Sequence, residues 1–466
     1  MRNKTYFYYF IITAILAYTG GYVKSSSLSA AEPRTRGGTA AENRAPQLNE
    51  FTLDNGLRVI HSWTEGSPLA TIQVFSNGGS INEKPAQAGL ANLTQVLLMQ
   101  GTKAMNAEQL ASAIEDIGAS ITSYIEPDFS TVGISVLNSN LNRAAELLAE
   151  MLADPAFDDK EIEKERVNII ASLKNRKDRI HKVASDAFMS AFYGSHPYAW
   201  PDSGKIETVS KFTKLDILKW HKKYYVSNNM LMVIAGNVTL AEAQNAAQKY
   251  FALISSGPAA FERPALKSPV TKRIVKASPK FQQAYLMAGY AAPAIGKEDF
   301  YALKVLNSLL GGRMTGRLFV ELREKLSLAY EVNSIYPSRR ETSRFVIYIG
   351  LEAKNLNLAK KRIAEIINEL KTSRVTAAEL LETKNYIQGI YLLERQTIGR
   401  RAYFIGWWDA MGLAPDYDDQ YLENLMAVTS EDIQKAAVKY FSGSSITVEI
   451  MPGNPAPSAR TKNKTK

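Results

Sequence analysis

The chain repeats itself, and that constrains its fold more than any other feature. Thr213-Lys-Leu-Asp-Ile-Leu-Lys219, closed by Tyr224-Tyr225 and followed by the apolar run Met230 to Ala235, returns 216 residues later as Thr429-Ser-Glu-Asp-Ile-Gln-Lys435, Tyr440-Phe441 and Ile446 to Met451. Asn140-Leu-Asn-Arg-Ala144 returns 215 residues later as Asn355-Leu-Asn-Leu-Ala359. Two agreeing offsets from separate segments predict one domain of roughly 200 residues present twice. The copies are placed at 49–254 and 273–452, with the Ser-, Gly- and Pro-containing stretch 255–272 as the linker between them.

Within each copy strands and helices mix. Phe51 to Leu53 and Leu57 to Ile60 flank Asp54-Asn55-Gly56, where Asn-Gly accommodates the positive φ angles of a hairpin turn. Glu161 to Arg179 and Leu356 to Leu370 carry apolar residues at helical spacing, and Ala119 to Tyr124 and Val132 to Leu137 read as short antiparallel strands. The fold class is therefore α+β: two tandem homologous α/β sandwich domains, each with helices packed on a mainly antiparallel sheet.

Composition narrows the chemistry. Hydrophobic residues make up 45% and charged residues 22%, as in ordinary globular proteins, which excludes disordered and multi-span membrane classes. With no cysteine there is no disulfide, thiolate nucleophile or Cys-bound metal. The four histidines, His61, His181, His196 and His221, stand at least fifteen residues apart. Net charge is +10, but residues 1–50 account for +3 and the basic tail 453–466 for +4. The +3 left on the body is too mild for a nucleic-acid footprint.

At the N-terminus, Arg2 and Lys4 precede an uncharged stretch from Thr5 to Val23, and Ser29-Ala30-Ala31 follows. These are the three parts of a secretory signal, predicting a signal peptide over 1–31, a linker over 32–48 and an exported, periplasmic protein. Nineteen uncharged residues are also close to the ~20 that span a bilayer, so an uncleaved anchor is the other reading.

Gly89-Leu-Ala-Asn92-Leu-Thr-Gln95-Val96-Leu-Leu-Met-Gln-Gly101-Thr102 resembles the zinc helix of the insulinase and pitrilysin family of metallopeptidases, built on H-x-x-E-H. In that family two histidines one turn apart bind zinc, and the glutamate takes a proton from the metal-bound water. Here the three places hold Asn92, Gln95 and Val96. The third ligand, the last residue of an E-x6-E pair, falls at Ser172, with Glu165 matching the first member. Amide and hydroxyl oxygens are weak donors for zinc, valine offers none, and Gln95 accepts no proton at neutral pH. The resemblance thus implies a vacated zinc site, with Val96 and Leu97 packing where a histidine would leave an unmet polar group.

The likeness runs from Phe51 to Pro452. Asn77-Gly-Gly-Ser-Ile-Asn-Glu83 resembles the glycine-rich strand end before the zinc helix, and Tyr193-Gly-Ser-His-Pro-Tyr198 an aromatic turn in which His196 reads as structural. Leu310-Gly-Gly-Arg-Met-Thr-Gly-Arg317 through Arg323 to Tyr330 is similar to a second motif. In family enzymes its arginine and tyrosine lie across the cavity from zinc and bond the substrate backbone and scissile carbonyl. Arg323 and Tyr330 are the matching positions. Read without the resemblance, they are a helix arginine paired with a neighbouring glutamate and a half-buried strand tyrosine.

Other catalytic signatures fail. Gly311, Gly312 and Gly316 are followed by no Gly-Lys-Ser/Thr, no G-x-S-x-G occurs, and Trp407-Trp408 sits in a helical run from Arg400 to Met411 that reads as core. The resemblance therefore implies the non-metal, substrate-binding subunit of a two-chain zinc peptidase. Its homologous H-x-x-E-H partner supplies the zinc in a heterodimer acting on peptides or unfolded proteins, and this chain binds no cofactor itself. The rival expectation is a non-catalytic peptide-binding or scaffold protein.

Overall fold

The computed structural model describes residues 48–258, 260, 272–278 and 280–453. The signal peptide, the linker after it, most of 255–272 and the basic tail lie outside them.

Eleven strands among the described residues form two sheets. The first contains β1 (Leu48–Thr52), β2 (Arg58–Trp63), β3 (Leu69–Ser76), β4 (Ser120–Ile125), β5 (Ser130–Leu137) and β6 (Met230–Gly236), in the order β1-β2-β6-β3-β5-β4. The second contains β7 (Lys272–Ser278), β8 (Ala284–Ala292), β9 (Ala329–Ile335), β10 (Ser343–Leu351) and β11 (Ser445–Pro452), in the order β7-β11-β8-β10-β9. Removing β1 makes the two orders identical, and in each the single parallel pair is the equivalent one, β2 with β6 and β7 with β11. The repeat in sequence is a repeat in topology.

Local chemistry explains why the repeated words survive. Lys214–Tyr224 begins where Thr213 accepts a hydrogen bond from the Asp216 amide while the Asp216 carboxylate accepts from Thr213, and Ser430–Phe441 begins on the same reciprocal cap made by Thr429 and Asp432. This T-x-x-D box satisfies two of the helix's orphan amides in each copy. The β1–β2 connection differs in detail from a two-residue hairpin. Leu53 and Leu57 close it, only Gly56 takes positive φ (+86°), and Asn55 instead donates to the carbonyls of Phe251 and Ile254 at 2.9 and 3.0 Å. That is the three-residue hairpin with glycine at its left-handed position.

Each sheet is covered on one face by its own helices and on the other by a helix from the opposite half. Ala70, Ile72, Val74, Val132 and Ile134 face the first half's own core, whereas Phe75, Leu231, Val233 and Ala235 pack with the second half's residues. Ile398–Ala410 lies against β3 and β6, and reciprocally Ile180–Tyr193 lies against β8 and β11. A glycine admits a phenylalanine ring at both crossings: a Cβ on Gly406 would come within 2.1 Å of the Phe75 ring, and one on Gly289 within 2.5 Å of the Phe188 ring. Phe75 is boxed between Phe129 and Tyr403 at centroid distances of 5.5 and 5.8 Å, so it has no space to swing away. Gly406→Ala gains about 1 kcal/mol of helix propensity but overpacks the junction at a cost of about 1–3 kcal/mol. A lower urea midpoint is expected, and a raised one would show that the ring gives way.

Candidate functional site

The helix that carries the vacated motif, Leu90–Leu97, starts from Gly89 at φ +96°, where a Cβ would press on the Ser203 carbonyl at 2.8 Å. Its amino end is capped by Glu83, a buried carboxyl group whose Oε1 accepts from the amides of Gly89 and Ala91 at 3.0 and 2.9 Å while Oε2 accepts from the Trp200 indole at 3.1 Å. Carboxyl oxygens at a helix amino terminus satisfy N–H groups that have no partner within the helix.

Gln95 points from this helix into the sheet and is 2% exposed. Its amide nitrogen donates to Ser123 Oγ and to the Thr131 carbonyl, both at 2.9 Å, and its oxygen accepts from the Tyr225 hydroxyl, which also lies 3.2 Å from Ser130 Oγ. Every hydrogen-bonding group of the amide is used. The sequence placed the filling of the vacated site on Val96 and Leu97. Leu97 is fully buried, but Val96 is only half-buried, and the residue that closes the interior is the polar Gln95. Asn92 and Val96 are neighbours one turn apart on the same helix, both half-buried. Ser172 is exposed on Asp159–Arg176, which packs against that helix, and Glu165 on the same element is buried with Asn168 Nδ2 at 3.4 Å from both its oxygens.

The four positions thus sit on two packed helices, but their donor set does not suit zinc. Valine has no donor, the Gln95 oxygen is already committed to Tyr225, and the remaining amide and hydroxyl are neutral. Among the described residues no group of three His, Asp or Glu is placed to hold a metal ion.

A second polar cluster joins the halves. Asp128 and Glu126 lie 4.0 and 3.5 Å from the Arg339 guanidinium, Tyr198 donates to Asp128, and Ser80 Oγ donates to Asp202 at 2.5 Å. Sequence reasoning missed this cluster, because it joins residues from 80 to 339 and has no motif spacing. It also missed the capping role of Glu83, although a carboxylate six residues before the helix-opening Gly89 was a readable signal. Burial raises the carboxyls of Glu83, Asp128 and Asp202 above their ordinary values, Glu83 to about 8, while the hydrogen-bond donors and Arg339 pull the other way. The folded chain therefore holds protons that the unfolded chain releases once pH passes the ordinary carboxyl value of 4.5. The resulting stabilisation is complete below that value and is lost as pH rises through about 8. Burial lowers His181, His221 and Lys304, which act in the opposite sense over this range, so the contribution of Glu83 is read as the difference between the natural chain and Glu83→Gln, which is neutral throughout. The urea midpoint of the natural chain relative to that variant should fall between about pH 5 and about pH 8, and a relative midpoint that rises would contradict the assignment.

Arg323 lies just before β9 and Tyr330 at its start. Arg323 lies on the widened helical turn Val320–Lys325, is exposed, and has its guanidinium 4.9 Å from the Phe319 ring. Among the described residues it makes no ion pair. Glu321 pairs instead with Lys325 at 2.5 Å and Arg362 at 3.3 Å. Tyr330 is the extra residue of a β-bulge: Gly350 pairs with Glu331 and Leu351 with Ala329, which leaves Tyr330 between them. Bulges re-aim a side chain, and this one leaves Tyr330 53% exposed, beside the Glu352–Lys354 ion pair at 2.6 Å. The strand packs against the Val320–Lys325 turn, so the two residues share one region of the second half.

The remaining sequence candidates are structural. His196 is buried and its Nδ1 accepts from the Tyr198 amide at 3.2 Å, capping a short turn. Trp408 is fully buried with its indole donating to Asp418 at 2.9 Å, whereas Trp407 is half-buried. Gly311 lets the preceding helix meet β9, since a Cβ there would lie 2.6 Å from the Ser334 nitrogen.

Comparison with known proteins agrees with this geometry. Residues 58–202 match the family model described as insulinase (peptidase family M16), and residues 211–387 match the model described as the peptidase M16 inactive domain. Among relatives, an uncharacterized zinc protease of Bacillus subtilis is 25% identical over 412 residues, spanning 88% of this chain and 100% of its own. Another uncharacterized zinc protease, from Rickettsia felis, is 26% identical over 87% of this chain and 98% of its own. In structure, a peptidase M16 inactive domain from Pseudomonas fluorescens superposes with a TM-score of 0.82 at 22% identity, over 87% of this chain and 98% of that one. A Helicobacter pylori protease gives 0.82 at 23% identity, over 88% and 100%. The duplicated sandwich and the two family models, which together span 58–202 and 211–387, place the chain in the insulinase, or M16, family of metallopeptidases.

Proposed function

We propose that this chain is the non-metal subunit of a two-chain zinc peptidase, binding peptides or unfolded proteins through Arg323 and Tyr330 while a homologous H-x-x-E-H subunit supplies the zinc and the base. The observation that carries the reading is an asymmetry. Gln95, at the catalytic-base position, is locked into a buried structural network, whereas Arg323 stays exposed with no ion pair among the described residues and Tyr330 stays exposed with its hydroxyl on the surface carboxylate of Glu352. An exposed guanidinium and phenol on a re-aimed strand end can donate to a peptide carbonyl and to the oxygen that becomes negative as it is attacked. The pair would act outside the cytoplasm, with residues 1–31 directing export and cleaved or kept as an anchor.

Reconstitution tests this. The chain alone should cleave no peptide, and adding the H-x-x-E-H homologue encoded in the same organism should give zinc-dependent cleavage in a complex that co-elutes on size exclusion. A homologue equally active with and without this chain would remove the subunit role.

A further inference from the structure

One end of the first sheet carries an apolar rim, and the chain enters the sheet at that same end. The register gathers the start of β1, the ends of β2, β6 and β5 and the start of β3 there: Leu48 pairs with Ser62, Trp63 with Gly236, Gly236 with Ala70, and Leu69 with Leu137. Trp63, Leu69 and Leu137 are 43%, 44% and 50% exposed. A lone exposed apolar side chain is ordinary on a soluble surface. Leu69 and Leu137, however, are direct cross-strand partners and form one patch, and by the alternation of the strands Trp63 stands on the other face of the same end.

The surroundings of this rim are poor in charge. The connections 64–68, 138–140 and 237–239 leave the sheet here, and Glu65 is the one charged residue among their eleven. Ile398–Ala410 runs from Thr71 and Ser135, which a Cβ on Gly399 would meet at 3.8 and 3.5 Å, toward the Phe75 ring beside Gly406. The turn before that helix, reached from the exposed Leu392 and Leu393, therefore borders the same end. The opposite end of the sheet is different in kind. It is tied to the second half by charged pairs, Arg58 with Asp409 and Glu126 with Arg339.

What covers the apolar end is indicated by the chain that precedes it. Leu48 leads back through the 24 residues 24–47 to nineteen uncharged ones, from Thr5 to Val23, close to the ~20 that span a bilayer. A connection of that length reaches at most about 85 Å, which keeps the body near a bilayer without fixing the surface that faces it. Tryptophan favours the headgroup level, where its ring is shielded and its N–H stays wet, and leucines favour the acyl chains beneath. We infer that residues 5–23 are retained as an anchor and that the Trp63, Leu69 and Leu137 end of the first sheet rests on the lipid surface. The inference rests on the anchor reading of the N-terminal segment and is independent of the subunit role. Thr131, the partner of Gln95, lies six residues along β5 from Leu137, about 20 Å away, so docking holds the vacated motif clear of the lipid.

Because the chain has no cysteine, one substitution gives one label. The full chain is reconstituted in phosphatidylethanolamine–phosphatidylglycerol vesicles with Ser139→Cys, at the apolar end, or Asp54→Cys, in the β1–β2 turn at the other end, each carrying a fluorophore that doxyl-labelled lipid quenches. Position 139 should be quenched several-fold more than position 54. Trp63→Ser with Leu69→Ser and Leu137→Ser should bring position 139 down to the level of position 54, and if that triple variant does not fold, Leu137→Ser alone should lower the excess. Equal quenching at the two positions, or an excess that survives these substitutions in a folded chain, would overturn the docking. A disulfide-linked dimer of the Ser139→Cys chain at high lipid-to-protein ratio would assign this end to a second copy instead. Protein isolated from cells that begins at Glu32 would remove the anchor, and the inference with it. Cleavage by the reconstituted pair is measured separately, so none of these outcomes decides the subunit role.

Discussion

Tyr330→Phe in the reconstituted pair is expected to lower kcat by roughly 10²- to 10³-fold, the usual loss when one donor to a developing oxyanion is removed. The substitution deletes only the hydroxyl. The ring stays on its bulge, and because Tyr330 is 53% exposed, no interior group loses a partner, so assembly and stability should be unchanged within about 0.5 kcal/mol. Arg323→Lys keeps the charge but loses the planar fork that meets a carbonyl in two places, so it should raise KM or lower kcat as well. If the chain is a scaffold, both substitutions are nearly silent. Steady-state cleavage by the intact complex decides between the two readings: wild-type rates from a Tyr330→Phe complex that still co-elutes would leave Arg323 and Tyr330 as ordinary surface residues.

The fold was legible in the sequence where local rules and the repeat agreed. The T-x-x-D caps at Thr213 and Thr429 are local hydrogen-bonding units, so duplication preserved them as readable words, and the strands after them occupy equivalent places in the two sheets. What the sequence could not show is the exchange of helices between halves. Ile398–Ala410 is hydrophobic around much of its surface because it packs on β3 and β6 and also on the helix Tyr417–Ala427. Periodicity reports only that such a helix is buried, not that two partners bury it.

The candidate site was legible through motif frames alone, and those frames say nothing about what replaced the lost chemistry. Valine at position 96 suggested an apolar filling, yet the interior is closed by the amide of Gln95, whose partners Ser123, Thr131 and Tyr225 come from three separate places in the chain. The same limit hid the cluster of Asp128, Asp202 and Arg339. Contacts over such sequence distances depend on the sheet order, which is known only once the chain is folded.

Writing the H-x-x-E-H residues and the third ligand into this chain should give a protein that takes up a single zinc where the natural chain is expected to take up none. With Asn92→His, Val96→His and Ser172→Glu, two imidazoles one helical turn apart face a carboxylate from the helix packed against them, a ligand set of the right number and type for a catalytic zinc. Gln95→Glu completes the motif but disturbs the interior. The new carboxylate keeps the Tyr225 hydroxyl as donor, and Ser123 can turn its hydroxyl to donate, but the Thr131 carbonyl then meets an oxygen instead of an N–H. A buried acceptor left in that state costs about 1–3 kcal/mol. The fourfold variant without metal should therefore unfold at lower urea than the natural chain. Because zinc binds only the folded form of such a site, adding it should recover stability in proportion to its affinity, and the natural chain should show no response. Elemental analysis after gel filtration gives the stoichiometry, and thermal melts with and without zinc give the linkage. A folded fourfold variant that takes up no zinc would show that positions 92, 95, 96 and 172 do not converge as the motif requires, and one zinc per natural chain, lost on changing Asn92, would show that the site was never vacated.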